Sequence, residues 1–177
     1  PRSLKSQLVS VARPAFWLGH QPERKIIGIS YGAELAAKHA GDFRSVVESS
    51  CYRRIFPNLQ IARAVDSDIY TTRRGFRIST SIHSTLTGLG GDCIIIDDPI
   101  KAVDAQSDTL RNGVNDWFSN TLVTRLDDKL KGAIIIVTQR VHQYDLTGYL
   151  LERAPNDWTL LRLPAIAEEF EQIQIGP

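Results

Sequence analysis

Three short stretches of this sequence carry side chains capable of chemistry. Asp97 and Asp98 close an apolar run, Ile94-Ile95-Ile96, and are followed by Pro99. Two adjacent carboxylates at the C-terminal edge of a strand can hold a hydrated magnesium ion and polarise a water. The same pattern also fits a core strand that simply leaves into an acidic turn. Lys5-Ser6 stands where a basic loop, Pro1-Arg2-Ser3-Leu4, opens a helix. Such a junction is how a phosphate loop ends: backbone donors and the helix N-terminus hold the phosphates, the lysine reaches the terminal ones and the hydroxyl binds magnesium. The alternative is an ordinary helix that starts with these two residues, and the glycine usual before the lysine is here Leu4. Thr138-Gln139-Arg140 follow a second apolar run, and polar groups at that place can sense whether a terminal phosphate is present.

These groups can meet only if the chain builds a parallel sheet. The uninterrupted β-branched run before Asp97 fits a strand covered on both faces, and Pro99 removes the donor that would continue its ladder. Residues 133–138 read as a second buried strand of the same character, so parallel neighbours would bring Asp97, Asp98 and Thr138 to one crevice. Residues 25–30 read as a further strand. Residues 7–13 read as a helix that Pro14 should kink or end. Residues 33–47 form a helix with Leu35, Ala36, Phe43, Val46 and Val47 facing a core, and Tyr52-Arg53-Arg54 a capped helix end with snorkelling arginines. Residues 69–72 and 75–82 alternate as an antiparallel hairpin with Arg73-Arg74 at its tip. The small, glycine-rich loop 83–91 demands unusual backbone freedom. The longest helix is expected over 107–126, with Leu110, Val114, Trp117, Phe118, Leu122 and Val123 on one face. A short helix over 144–152, a last strand over 158–163 and the start of a linker over 168–177 complete the reading.

Composition sets the bounds. The 177 residues are 42% hydrophobic and 23% charged, which suits one α/β domain with a sizeable core. A formal net charge of +1 means that any nucleic-acid contact must come from local basic clusters. Cys51 and Cys93 stand far apart as reduced thiols, and His20, His39, His83 and His142 have no metal-ligand spacing. No apolar run approaches the roughly 20 residues needed to span a bilayer, and no signal-peptide pattern opens the chain, so a cytoplasmic protein is expected. The sequence contains no methionine and begins inside the basic loop, which reads as a fragment.

In their order along the chain these motifs resemble those of the ATPase domain of the large terminase subunit, the motor that packages DNA into tailed-phage capsids. Pro1-Arg2-Ser3-Leu4-Lys5-Ser6 resembles the end of that family's divergent Walker A motif, and Ile94-Ile95-Ile96-Asp97-Asp98-Pro99 its Walker B motif. Thr85-Leu86-Thr87-Gly88-Leu89-Gly90-Gly91-Asp92 is similar to the loop that precedes the Walker B strand. Thr138-Gln139-Arg140-Val141-His142-Gln143-Tyr144-Asp145-Leu146 resembles the coupling motif, although a tryptophan often stands where Val141 does. Leu163-Pro164-Ala165-Ile166-Ala167-Glu168 resembles the segment leading towards the nuclease domain. Asp98 stands where many related motors have glutamate.

The resemblance implies a P-loop NTPase (ASCE/RecA-like) α/β fold: a mostly parallel sheet with helices on both faces, its first strand and the start of the P-loop missing. It implies an ATPase domain over 1–167, incomplete at the N-terminus, and a linker over 168–177 towards an absent nuclease domain. ATP and magnesium are the implied cofactors. Arg2, Ser3, Lys5, Ser6 and Gln139 would bind nucleotide, Ser6 and Asp97 the metal. Asp98 would position water, Arg2 would act in cis on the γ-phosphate, and Thr138 with Gln139 would couple phosphate loss to motion. Arg73, Arg74 or Arg77 would act on a neighbour's nucleotide in trans. The implied partners are double-stranded DNA, the portal protein, the small terminase subunit and further copies in a ring on the procapsid, in the bacterial host cytoplasm and without a membrane. A superfamily 2 helicase-type DNA-dependent ATPase and a non-catalytic prophage remnant acting only in binding or assembly are the alternatives. In a P-loop domain the strand before the phosphate loop lies inside the sheet, between residues 25–30 or 94–96 and residues 134–137. The 177-residue chain by itself is therefore expected to hydrolyse ATP poorly or not at all.

Overall fold

The computed structural model describes residues 4–65, 67–82, 84, 86 and 88–163. Six strands, β1 (Lys25–Ser30), β2 (Ile61–Val65), β3 (Asp68–Thr71), β4 (Phe76–Ser81), β5 (Cys93–Asp97) and β6 (Ala133–Val137), form one sheet in the order β2-β3-β4-β1-β5-β6. β4, β1, β5 and β6 run parallel, while β3 is antiparallel to both β2 and β4. The long apolar run is buried on both sides as its composition demands, with Cys93 and Ile94 to Ile96 at most 1% exposed.

Alternate residues of the central strands serve two different helical layers. On one face, Ile26, Cys93 and Ile95 pack against Val11, Ala15, Leu18, Phe43, Val47 and Tyr52. Those residues come from a π-helical turn (Gln7–Ala12) and from helices α1 (Arg13–His20), α2 (Ala33–Glu48) and α3 (Ser50–Ile55). On the other face, Ile27, Ile29, Ile94 and Ile96 meet Val114, Trp117, Phe118, Leu122, Leu146 and Leu150. These belong to α4 (Asp108–Trp117), the π-helical turn that continues it (Phe118–Leu122) and α5 (Leu146–Arg153). The mixed α/β architecture with helices on both faces of a mostly parallel sheet follows the reading of the sequence.

Several expectations are corrected. β5 is hydrogen-bonded directly to β6, from Cys93 opposite Ala133 to Asp97 opposite Val137, so no slot separates them for a further strand. β6 is consequently the outer strand and is only half-buried, unlike β5. Residues 158–163 form no strand and lie largely exposed, whereas β2 adds an edge strand that the sequence pattern did not signal. Pro14 does not end its helix: the helical run passes from the π-helical turn straight into α1. Along α4, Leu110 is 48% exposed and Arg111 turns inward in its place, donating to the Ala105 carbonyl and to Asp108. On α2, Leu35 and Val46 are half-buried, and the buried stripe is Ala36, His39, Ala40, Phe43 and Val47. The 83–91 loop does require backbone freedom: Gly88 has φ +78°. His83, Thr85 and Thr87 of this loop, and the proposed linker at 168–177, lie outside the described residues. The hairpin of β3 and β4 stands as expected, with Arg73 and Arg74 exposed at its tip.

Candidate functional site at the carboxyl edge of the sheet

The alternation along β5 decides where Asp97 goes. Cys93 and Ile95 pack towards the π-helical turn and α2, and Asp97, two residues further on, joins that side. Its carboxylate is 1% exposed. Oδ1 accepts a hydrogen bond from Ser6 Oγ at 3.0 Å and Oδ2 one from Ser10 Oγ at 2.6 Å. The two serines are four apart, the spacing that puts side chains on one helical face. His39 of α2 closes the third side, with Nε2 3.6 Å from Oδ2. Burial pushes the His39 imidazole below its ordinary value although Asp97 pulls the other way, so the neutral ring is favoured.

Asp98 follows with φ +46°, in the left-handed region where aspartate and asparagine are tolerated better than other residues with a Cβ. Backbone bonds on both sides hold it there: its N–H donates to Val137 at 2.8 Å and its carbonyl accepts from Tyr31 at 3.2 Å. Burial, and next the charge of Asp97, raise the Asp98 carboxyl above its ordinary value; Lys5, the Gln139 backbone N–H and His39 act against them. Lys5 Nζ donates to the Thr138 carbonyl at 3.2 Å. Leu4, the residue before it, has φ +58°. That is the conformation glycine adopts freely and other residues adopt at a cost of about 1–2 kcal/mol, and strain of this kind collects at functional sites.

Lys5, Ser6, Asp97, Asp98, Thr138 and Gln139 are therefore gathered at one edge, beyond the carboxyl ends of β5 and β6: parallel pairing brings the two aspartates beside Thr138, and hydrogen bonds from Lys5 and Ser6 bring the helix start to them. Arg2 and Ser3 lie outside the described residues. The Thr138 hydroxyl donates to the Gln139 carbonyl at 2.9 Å, and the Gln139 side chain is exposed. Beyond them Arg140 pairs at 3.0 Å with Asp145, whose carboxylate also accepts from the backbone of Val141 and caps α5 through Gly148. The segment after β6 is thus tied to a helix. Arg73 and Arg74 sit at the other end of the sheet: Gly75 packs against the carbonyls of Pro22 and Arg24, which precede β1. Arg77 is not available to a neighbouring molecule, because it is 2% exposed under the π-helical turn.

The chemistry of Ser6 and Asp97, a hydroxyl facing a carboxylate, is of the kind that can ligate a hard divalent cation. Their oxygens are 3.0 Å apart, and adjacent ligands of an octahedral magnesium at 2.0–2.1 Å are about 2.9 Å apart. Among the described residues no group of three or more His, Cys, Asp or Glu could hold a metal. A two-ligand site completed by water and phosphate oxygens is the kind magnesium takes. Sequence reasoning missed Ser10, His39 and the inward turn of Arg77. The signals were present: Ser10 repeats Ser6 at helical spacing, and His39 falls three residues after Ala36 and four before Phe43, on the core stripe of α2.

No protein-family profile matches the chain, and neither does any curated protein. Among solved structures, the crystal structure of the HK97 bacteriophage large terminase superposes with a TM-score of 0.55 at 14% sequence identity. The chain shares a terminase-like fold. The match covers 88% of this chain and 31% of the HK97 terminase chain. Within the described residues no helix is long and apolar enough to cross a membrane.

Proposed function

We propose that this chain is the ATP-binding motor portion of a phage large terminase, using ATP hydrolysis to drive double-stranded DNA into a procapsid. The observation that carries this reading is the junction of Ser6 and Asp97, a helix-start hydroxyl and a strand-end carboxylate 3.0 Å apart, with Lys5 beside them. In this reading Lys5 leaves the Thr138 carbonyl to neutralise the β and γ phosphates, and Ser6 and Asp97 hold magnesium. When bound, magnesium supplies the charge that stabilises the transferring phosphoryl group. Asp98 orients the attacking water. Its half-buried carboxyl, raised by burial and by Asp97, is a better proton acceptor than an ordinary aspartate. Loss of the γ-phosphate is felt by Thr138 and Gln139 and passed through Arg140 and Asp145 to α5. Arg2 assists in cis, and Arg73 or Arg74 of a neighbouring copy assists in trans within a ring. The portal protein and small terminase subunit are the assembly partners, in the bacterial host cytoplasm.

One observation favours a second reading. The closed pairing of β5 with β6 leaves no slot between them for a strand leading into the phosphate loop, as in a non-catalytic remnant that retains only a binding or assembly role. Titration of the 177-residue chain with a fluorescent ATP analogue and magnesium separates the two. Saturable binding that Lys5→Ala and Ser6→Ala each weaken at least tenfold supports the motor. Binding indifferent to both substitutions, or absence of binding that persists when the start of the phosphate loop is restored upstream of Pro1, supports the remnant.

A further inference from the structure

The π-helical turn, Pro14 and the buried Arg77 are left unexplained by the chemistry above, and they converge on one atom. Pro14 has no N–H to offer the Ser10 carbonyl four residues back. Arg77 Nη2 donates to that carbonyl at 3.2 Å from the neighbouring strand β4. The Ser10 hydroxyl in turn donates to Asp97 Oδ2, which leaves Oδ1 turned towards Ser6. We propose that Arg77 and Ser10 form a positioning relay for Asp97, in which Arg77 fixes the π-helical turn through the Ser10 carbonyl and the Ser10 hydroxyl fixes the plane of the carboxylate. The relay rests on the reading of Asp97 as a metal ligand.

The surroundings of Arg77 are shaped for this task. The guanidinium lies over the Phe43 ring at 5.1 Å and against Gly28, where an added Cβ would meet Nη2 at 3.2 Å. Its other arm donates to the Ser79 hydroxyl. Among the described residues no ion pair involves Arg77, and its Nε has no hydrogen-bond partner. Burial pulls the guanidinium down to about 10. A methionine would fill similar space without desolvating a charge; what arginine adds is a rigid planar fork with donors in two fixed directions. Here the fork ties β4 to the helical turn that carries Ser10 and directly follows Ser6. Groups that orient a metal ligand without touching the metal typically change metal affinity by 10–100-fold when removed.

The test uses manganese(II) as the probe, with its binding to the 177-residue chain in the presence of ATP followed by electron paramagnetic resonance. Ser10→Ala should weaken manganese affinity about tenfold or more with far-UV circular dichroism unchanged, and Ser10→Thr, which keeps the hydroxyl, should restore it. Arg77→Met should weaken affinity in the same way. Because Arg77→Met can fail to fold, Ser10→Ala, which removes one oxygen, carries the decision. If Asp97→Asn loses manganese while Ser10→Ala binds it like the original chain, the relay is overturned and the metal-ligand reading survives. If the original chain binds no manganese, or Asp97→Asn binds it unchanged, that reading falls and the relay with it.

Discussion

Replacing Asp98 separates what the residue does for the fold from what it does for chemistry. The backbone there is held at φ +46° by ladder bonds to Val137 and Tyr31 that no side-chain change removes. Asparagine tolerates the left-handed region about as well as aspartate, whereas alanine costs about 1–2 kcal/mol. In a domain of this size 1 kcal/mol moves the melting temperature by about 2–4 °C, so Asp98→Ala should melt at least that far below Asp98→Asn. The carboxyl adds a pH-dependent part. Burial first, then Asp97, raise Asp98 above its ordinary 3.8, so the folded state holds this proton more tightly than the unfolded chain. The corresponding stability is present at acid pH and is lost as pH rises through the raised value. Asp98→Asn, which does not titrate, should therefore melt above the original chain at pH 7, and the difference should shrink as pH falls towards 4. The same substitution removes the group assigned to orient water, so any ATP turnover should fall while nucleotide binding persists. Thermal melts of the three chains between pH 4 and 7 decide it: an Asp98→Asn chain that melts below the original at pH 7, or a gap that does not change with pH, refutes the account.

Three further outcomes follow from packing. Cys51 is exposed, while Cys93 is fully buried with its thiol pushed up to about 11 by burial; a thiol reagent should label one cysteine in the native chain and the second only in denaturant, and two equally fast reactions would contradict the buried β5. Tyr52 donates to the Ala15 carbonyl at 2.6 Å, and burial pushes it up to about 12; its contribution to stability should be lost as pH rises above 10, and Tyr52→Phe should cost about 0.5–1.5 kcal/mol at pH 7 by removing that hydrogen bond. An added Cβ at Gly75 would lie 2.1 Å from the Pro22 carbonyl, so Gly75→Ala should destabilise by about 1–3 kcal/mol in a denaturant titration, whereas Arg73→Ala at the exposed tip should stay within about 0.5 kcal/mol.

Much of the fold is written in local pattern. The β-branched run before Asp97, the alternation around Arg73-Arg74 and the helical periodicity of residues 33–47 each depend on near neighbours in sequence, and each element appears. The gathering of Asp97, Asp98 and Thr138 was also legible, because parallel strands of known direction place their following residues at one edge. Strand order was not. That β5 pairs with β6 directly, and that β6 is therefore outer and half-buried, depends on which of several equally apolar strands compete for the same ladder. The failure of 158–163 to form a strand has the same origin, since a strand exists only where another edge accepts it. Side-chain partners across the sheet were equally hidden. Ser10 and His39 reach Asp97 over 87 and 58 residues of sequence, and no periodicity records such a meeting. By sequence Arg77 groups with Arg73 and Arg74 as an arginine that could act on a neighbour's nucleotide, a role that needs the exposure usual for its type. Only the packing of β4 against the π-helical turn, the lack of a side chain at Gly28 and the Ser10 carbonyl within its reach turn it inward.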